Sequence, residues 1–573
     1  MPQLNRPMAV PGVALIVAAF AAATVLLAGC ATQPPTPKAA ATVEDDAARL
    51  MVAEVALERG DCRAAAEGYL KATRASEDQR IAGRATEVAL SCEQLPVAKL
   101  AAARWRTLAP YSGDAALAET LVSLQLYQLD DASASLAAWR DSGSAGNQDP
   151  GRFAELLERE TESTAAYQVF GKVLANDDPT ADVVLAQATL ALHSFDLTAA
   201  TTLAQRALEM DTSLVPAKLI IVRAHALRGD YDGALAAARE LQPTLGGEDQ
   251  FIVADVLSAA ERGEQTKAEL LRLREQPALA PTVDRRLGAI AMEQGDTAEA
   301  EMRFTQLLGQ RGGTTLALFY LAELAERRGD IVRALQNYQL LADSSLSLLA
   351  RSAAARIMLK EGDRAGAMKL IDDYAAQHPE SAVEIVATRA QLLGNAGDHD
   401  GAIAAIDAGL KMYPQHPSLT YQRATSLERA GRNRQSIAAF EALLKQRPAD
   451  PGIANALGFT LADHNRQLER AEKLIKQALA VSPDNPAIQD SLGWVYLRKG
   501  RVREASGILE HAWRNGRDAE IAAHWGESLW QLGDQGRARY VWQQALNVDP
   551  SNRAVHATMA RLTGEAATPT GGR

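Results

Sequence analysis

Aromatic residues and cysteines are scarce in this sequence. Only 5% of its 573 residues are aromatic, although 47% are hydrophobic, and there are three cysteines. This balance favours helices packed through alanine and leucine over a β-rich core. No stretch keeps the alternation of apolar and polar residues that a sheet requires for long. The composition therefore predicts an all-α fold.

Recognisable catalytic and metal-binding motifs are also missing. The nine histidines show no HExxH or Cys/His ligand spacing. The sequence contains no P-loop, no GxSxG elbow and no calcium-binding loop. Its many carboxylates are scattered over helix faces. We therefore expect a binding scaffold that is not an enzyme and that uses no cofactor and no metal.

An excess of positive charge is absent too. The chain has 60 basic and 71 acidic residues, a net charge of −11. Loss of Arg6 with a signal peptide would leave 59 basic residues and a net charge of −12. This charge argues against nucleic acid as a partner and against broad electrostatic binding to anionic membranes.

What the chain does have is an internal repeat. Small residues recur at steps of 32 to 35 residues and define fifteen units, numbered here in chain order by the residue at their eighth position: Ala53, Thr86, Thr120, Ala154, Ala188, Val222, Val256, Gly288, Ala322, Ala355, Ala390, Ala424, Gly458, Gly493 and Gly526. Seven residues further on, ten units carry glycine: Gly60, Gly229, Gly263, Gly295, Gly329, Gly362, Gly397, Gly431, Gly500 and Gly533. Twelve residues on, with one inserted residue in unit 13, fourteen carry alanine and one carries Ser436: Ala65, Ala98, Ala132, Ala166, Ala200, Ala234, Ala268, Ala300, Ala334, Ala367, Ala402, Ala471, Ala505 and Ala538.

This spacing resembles the tetratricopeptide repeat, a helix–turn–helix unit of 34 residues. A small eighth residue lets the two helices of a unit approach closely, and the glycine takes the left-handed conformation that ends the first helix. The alanine sits where the helices cross. Prolines near the thirty-second position would end the second helix: Pro110, Pro379, Pro414, Pro448, Pro483 and Pro550. The repeat predicts a superhelical solenoid over residues 46–551.

The N-terminus predicts a lipoprotein. The uncharged run from Val13 to Leu27 is short for a membrane span and leads into Leu27-Ala28-Gly29-Cys30. This stretch resembles a bacterial lipobox, in which residues 1–29 are removed and Cys30 is lipidated. An ordinary signal peptide or membrane anchor is the alternative. Ala31, rather than aspartate, follows the cysteine, so the resemblance implies the outer membrane.

Prolines follow the predicted lipid anchor. Pro34, Pro35 and Pro37 indicate an extended tether over residues 30–45, reaching about 40 Å at most. The solenoid would then hang in the periplasm, with contact to the membrane through the lipid alone. Residues 552–573 are expected to form a C-terminal cap helix, around 552–562, and a disordered tail.

The two other cysteines allow two interpretations. Cys62 lies just after the turn of unit 1, and Cys92 lies just before the turn of unit 2. Adjacent repeats place these turns on one edge, and an oxidising compartment favours a disulfide. Two small buried thiols would fit the sequence equally well.

Tryptophan is concentrated at the C-terminal end, where five of seven lie in units 14 and 15. In tetratricopeptide arrays the second, fifth, ninth, twelfth and thirteenth positions line the concave face. Trp494 is a ninth residue and Trp530 a twelfth, whereas Trp525 and Trp542 occupy core positions. The concave candidates for partner binding are Asn455, Phe459, Asp463, Asp490, Trp494, Arg498, Glu527 and Trp530. Aromatic residues rimmed by charge are typical of interface hot spots. The alternative is that the two tryptophans clamp the cap helix.

The C-terminal units also resemble a particular group of lipoproteins. The resemblance, together with the lipobox and the overall layout, rests on LGFTLADHNRQLERAEKLIKQALAVSPDNPAIQDSLGWVYLRKG and EIAAHWGESLWQLGDQGRARYVWQQAL. These stretches are similar to the outer-membrane tetratricopeptide lipoproteins that serve a periplasmic carboxyl-terminal processing protease as adaptor, the LbcA-like group. The resemblance implies an adaptor that binds and activates a serine protease and delivers cell-wall hydrolases to it. A lipoprotein scaffold for pilus or secretin assembly, or for polysaccharide export, is the alternative.

Overall fold

Paired α-helices make up nearly all of the computed structural model. It describes residues 40–142, 156–157, 163–174, 179–310, 313–549 and 552–564. Within these ranges there are α-helices, three short 3-10 helices and no strand. None of the described helices is long and apolar enough to cross a membrane. The predicted all-α class is confirmed.

The N-terminal half of the described chain contains fifteen helices. They are α1 (Ala40–Glu58), α2 (Cys62–Ala75), α3 (Gln79–Ser91), α4 (Leu95–Leu108), α5 (Gly113–Gln125), α6 (Leu129–Asp141), α7 (Ser163–Leu174), α8 (Ala181–His193), α9 (Leu197–Met210), α10 (Val215–Leu227), α11 (Tyr231–Leu241), α12 (Ile252–Ala259), α13 (Gly263–Arg274), α14 (Ala280–Glu293) and α15 (Thr297–Leu308).

The C-terminal half contains fifteen more. They are α16 (Thr314–Arg327), α17 (Ile331–Gln339), α18 (Ser347–Lys360), α19 (Arg364–Gln377), α20 (Ala382–Asn395), α21 (His399–Met412), α22 (Pro417–Arg429), α23 (Asn433–Gln446), α24 (Pro451–Asp463), α25 (Leu468–Val481), α26 (Pro486–Arg498), α27 (Val502–Gly516), α28 (Ala519–Gln531), α29 (Gln535–Val548) and α30 (Arg553–Thr563). The helix α30 is the predicted cap helix.

Helix pairs match the predicted units. Each described helix packs on the helix that follows it along the chain, and several first helices also pack on the first helix of the next unit, which gives a solenoid. Thirteen of the fourteen crossing alanines are buried, as is Ser436. The described prolines at the predicted ends each lie two residues beyond a second helix, for example Pro483 beyond Val481.

The turn between the helices of a unit is left-handed even where glycine is missing. Gly500 has a φ of 76°, as expected. Glu93, Tyr127, Phe195 and Asn465 take the same place in their units with φ between 53° and 58°. Packing of the two helices therefore imposes this conformation on side chains that seldom adopt it.

Unit 7 departs from the predicted register by two residues. Its left-handed residue is Glu261 (φ 57°), not Gly263, which begins α13. Thr266 is buried at the helix crossing, whereas Ala268 is exposed. The prediction of Val256, Gly263 and Ala268 as repeat positions was wrong, because the 3-10 turn Gly247–Phe251 shortens the first helix.

Some of the predicted boundaries lie outside the described residues, and one of them changes. The signal peptide, Cys30 and residues 30–39 of the tether lie outside the described residues, as does the tail from 565. Residues 40–45, predicted as tether, belong to α1. The structure joins Cys62 and Cys92 in a disulfide, with the Cα atoms 5.2 Å apart.

The solenoid completes a superhelical turn and touches itself. Turns of units 1–3 and 5–7 meet the edge formed by the ends of units 10–14, seven to nine units further along the chain. The backbone N–H of Asp484, for instance, donates to the carbonyl of Phe195 at 3.0 Å. We call this row of contacts the seam; it joins Gly60 with Pro379, Glu93 with His416, Tyr127 with Arg447, Phe195 with Asp484, Gly229 with Asn515 and Glu261 with Arg517.

Candidate protein-binding surface

The first helices line the inner face of the superhelix. Glu323, Tyr421, Glu428 and Glu520 all reach solvent, yet the surrounding protein raises the pKa of each one through desolvation. A side chain that is both accessible and surrounded lies on a concave surface. These residues occupy second, fifth, ninth or twelfth positions of their units, as the repeat predicts for the inner face.

A buried ion pair connects the inner faces of units 14 and 15. Asp490 on α26 is 6% exposed, and both of its carboxylate oxygens lie 2.9 to 3.0 Å from Nδ1 of His524 on α28. Burial alone would lower the pKa of His524. Asp490, with smaller contributions from Glu520 and Glu527, outweighs burial and raises the pKa. The surrounding carboxylates therefore favour the protonated form of the imidazole.

Trp494 covers this ion pair. Its ring stacks on His524, with centroids 4.2 Å apart and 22° between the planes. Phe459 approaches the same imidazole at 6.1 Å, and the Arg498 guanidinium lies 5.4 Å from the Trp494 ring. Trp494 is only 6% exposed, and its indole Nε1 has no hydrogen-bond partner among the described residues. Trp494, predicted to line the concave face, is therefore a buried ring that His524 covers, and its part in partner binding stays a prediction.

Three carboxylates form what we call the acidic wall: Glu428 on α22, Asp463 at the end of α24 and Glu520 on α28. Burial raises the pKa of Glu428, and Asp463 and Glu520 raise it further. Burial likewise raises the pKa of Glu520, with Asp490 and Asp463 adding to the shift and His524 opposing it. Within the described chain, Asp463 and Glu520 form no salt bridge, and both side chains are exposed.

Two further candidates, Glu527 and Trp530, lie at the C-terminal end of the solenoid. Glu527 is 4% exposed and pairs with Arg561 of α30, which ties the cap helix to unit 15. The Trp530 ring lies 5.9 Å from the ring of Trp542 in the same unit. Trp530 therefore packs within the end of the solenoid, whereas Glu527 holds the cap helix and also acts on His524.

Asn455 is the last of the candidates. It is half-buried on α24, and its side-chain Oδ1 is enclosed without a hydrogen-bond partner among the described residues. The structure thus brings Phe459, Asp490, Trp494 and Arg498 together around one histidine. Asp463 joins a separate, exposed carboxylate group.

Sequence reasoning missed His524, Glu428 and Glu520. A signal for the first was present, since Asp490 and His524 are 34 residues apart, one repeat length. Glu527 and Arg561 show the same separation, so opposite charges one repeat apart mark contacts between adjacent first helices. Glu428 and Glu520 offered no such signal, because their proximity depends on the curvature of four successive units, 12 to 15.

A second part of the inner face is a charged cavity between units 9 and 10. It has a volume of about 570 Å³ and is lined by Glu323, Glu326, Arg327, Arg356 and Lys360, among others. Arg356 Nη2 donates to Glu326 Oε2 at 2.8 Å. In this cavity the carboxylate of Glu326 is paired with a cation, whereas Asp463 and Glu520 of the acidic wall form no salt bridge within the described chain. Across the described residues, no group of three or more potential ligands is placed to hold a metal ion.

Family models described as "Tetratricopeptide repeat" match the chain at residues 285–347, 387–451 and 421–466, and a further one at 464–524. The fold is a tetratricopeptide-repeat solenoid. Arrays of this kind are generally scaffolds for protein–protein interaction, with extended concave binding surfaces.

Two curated relatives share stretches of this solenoid. A TPR repeat-containing protein of Pseudomonas aeruginosa, PA4667, is 32% identical over 37% of this chain and 36% of its own length. The cellulose synthase 2 operon protein C of Komagataeibacter xylinus is 30% identical over 31% of this chain and 14% of its own. The chain therefore aligns with about a third of the first and about a seventh of the second.

Solved tetratricopeptide structures resemble the chain less. Yeast Tom70 is 15% identical over 72% of this chain and 94% of its own, with a TM-score of 0.36. PilW, a type IV pilus biogenesis factor, is 18% identical over 38% of this chain and all of its own, with a TM-score of 0.29. No functional conclusion follows from scores this low.

Proposed function

We propose that this solenoid is a non-enzymatic adaptor lipoprotein on the periplasmic side of the outer membrane, which binds a carboxyl-terminal processing protease and presents cell-wall hydrolases to it. The lipobox at Cys30 and the resemblance of the C-terminal units to such adaptors support this proposal. The observation that carries it is the acidic wall, in which Asp463 and Glu520 are exposed and form no salt bridge within the described chain.

The geometry favours a particular kind of binding. The seam closes the side of the superhelix, so a partner reaches the inner face most easily as an extended segment. Lysine or arginine side chains on that segment would meet Glu428, Asp463 and Glu520. Such complementarity accelerates association and selects partners. A protease tail or a substrate segment of basic character fits this description.

The test is a reconstitution with the mature chain carrying Cys30→Ser. It is mixed with a periplasmic carboxyl-terminal processing protease and a peptidoglycan hydrolase, and loss of the hydrolase is followed with time. We expect complex formation by size-exclusion chromatography and faster hydrolase loss than with protease alone. A protease that neither binds the chain nor changes its rate would overturn the proposal.

A matched pair of variants locates the surface. Asp463→Lys with Glu520→Lys reverses two charges of the acidic wall. Glu209→Lys with Glu240→Lys makes the same change of net charge on exposed second-helix positions. We expect the wall variant alone to weaken binding. An equal loss of binding in both variants would mean that net charge, and not the acidic wall, governs association.

Scaffolding of polysaccharide export is the second candidate. It is favoured by the similarity to the cellulose synthase 2 operon protein of Komagataeibacter xylinus, which covers only a small part of that relative. A pull-down from envelope extracts separates the two proposals, because export would recover synthase subunits in place of a protease. A pilus or secretin role has no comparable support.

A further inference from the structure

Three contacts of the seam gather around Arg63, Glu93 and Gln94 near the N-terminus. Arg63 Nη1 donates to the carbonyl of Lys411 at 2.8 Å, and Gln94 Nε2 donates to the carbonyl of Met412 at 3.1 Å. His416 Nε2 lies 3.1 Å from Glu93 Oε2. These contacts join units 1 and 2 to the end of unit 11, more than 300 residues away in sequence.

The disulfide lies within this part of the seam. Cys62 directly precedes Arg63, and Cys92 directly precedes Glu93 and Gln94. The bridge therefore joins the two turns that supply the docking side chains. At the same edge, a Cβ placed on Gly60 would lie 2.7 Å from the Pro379 ring, so the backbones are already in close approach there.

We propose that the Cys62–Cys92 disulfide is a clamp for the superhelix, which holds the turns of units 1 and 2 as one rigid edge on which unit 11 docks. Repeats contact only their neighbours, so small rotations accumulate along a solenoid. Contacts that join units so far apart along the chain therefore have to overcome these accumulated rotations. Each polar contact of the seam is weak by itself, so docking is favoured when the edge is already ordered.

This assignment differs from a local staple. A staple would stabilise units 1 and 2 and leave the position of unit 11 unchanged. A clamp also determines how unit 11 lies against units 1 and 2. The contact of Asp484 with Phe195, between units 13 and 5, belongs to the same seam but lies far along the chain from the disulfide. It provides an internal reference for the experiment.

The experiment measures distances across the seam by pulsed electron resonance. Spin labels are attached through a non-natural keto amino acid, so that no thiol is added, at the exposed positions of Lys71 and Ala404. A second pair at Gln205 and Gln477, also exposed, reports on the distant part of the seam. Both pairs are measured in the Cys30→Ser chain with the disulfide intact and in the Cys62→Ser, Cys92→Ser variant.

We expect the Lys71–Ala404 distances to lengthen and broaden when the bridge is removed, while Gln205–Gln477 changes less. Arg63→Ala with Gln94→Ala, which keeps the disulfide, should broaden the first pair in the same way. Circular dichroism of each variant checks that the helices persist. If the serine variant keeps a narrow Lys71–Ala404 distribution, the disulfide is not the clamp. A narrow distribution in the Arg63, Gln94 variant would also contradict the proposal.

Discussion

Trp494 stacks on His524 of the following unit, with 4.2 Å between the ring centroids. The neighbouring glycine makes this arrangement possible. A Cβ on Gly493 would lie 2.5 Å from Leu509 Cγ, so only glycine lets α26 pack closely on α27. Close packing within unit 14 leaves Trp494 pointing towards unit 15, where the Asp490–His524 pair fixes it.

Removal of the Trp494 side chain should destabilise the C-terminal units. Trp494→Ala takes away a buried ring, for which the cost is about 3–5 kcal/mol. The measurement is thermal unfolding followed by circular dichroism in the Cys30→Ser chain. Trp530→Ala serves as comparison, because that ring is only partly buried, and should cost less. A Trp494→Ala melt equal to that of the parent would show that the ring is not a packing residue.

The Asp490–His524 pair predicts a pH dependence. The pKa of His524 is raised in the folded protein, so its stabilising contribution is complete below about 6.5, the unperturbed value. The contribution is lost as the pH rises through the higher, folded pKa. Urea midpoints of the C-terminal units, followed by tryptophan fluorescence, should therefore fall as the pH rises from about 6 through the folded pKa.

Asp490→Asn is the control for this pH dependence. It removes the main charge that raises the pKa of His524, so the fall in midpoint above pH 6 should shrink. An unchanged fall in this variant would assign the dependence to other groups.

Gly493 and Gly507 form a matched pair for the packing argument. Gly493→Ala would crowd Leu509 and should cost about 1–3 kcal/mol. Gly507 lies in α27, and a Cβ there meets nothing within 4 Å. Gly507→Ala should therefore be neutral or stabilise the helix by up to about 1 kcal/mol. Denaturant melts compare the two, and equal effects would contradict the close approach at Gly493.

The proposed lipid anchor predicts the location of the mature chain. Cys30→Ser removes the proposed site of lipidation, and no helix among the described residues can span a membrane. The variant should appear in the soluble periplasmic fraction, while the parent sediments with outer membranes. Retention of the variant in membranes after a high-salt wash would contradict the lipobox interpretation.

Much of the fold was predictable because the repeat is local. The eighth residue, the turn and the crossing alanine each report on one helix pair, so the spacing placed Gly493, Gly500 and Ala505 correctly. The prediction failed for unit 7 because its 3-10 turn shifts the register of the repeat. Gly263 falls near the true turn by coincidence. Left-handed residues such as Tyr127 and Phe195 carry no sequence signal, since packing imposes their conformation.

The candidate site was predictable only in part. Repeat positions placed Asp490, Trp494 and Arg498 on one helix face, but they do not report the side chain that covers them. His524 does so from the next unit. The seam could not be predicted, because the meeting of Phe195 with Asp484 depends on the small rotation of every unit between them.

The most direct test of the adaptor account is site-specific photo-cross-linking in cells. A photoreactive amino acid replaces Asp463 or Glu520 on the inner face, and Tyr540, which is 64% exposed on the second helix of unit 15, as control. Cross-linked species are identified by mass spectrometry. The account predicts a carboxyl-terminal processing protease or its substrates on the chain from Asp463 and Glu520, and not from Tyr540. Cross-links to such a protease from Tyr540 alone, or from none of the three positions, would contradict it.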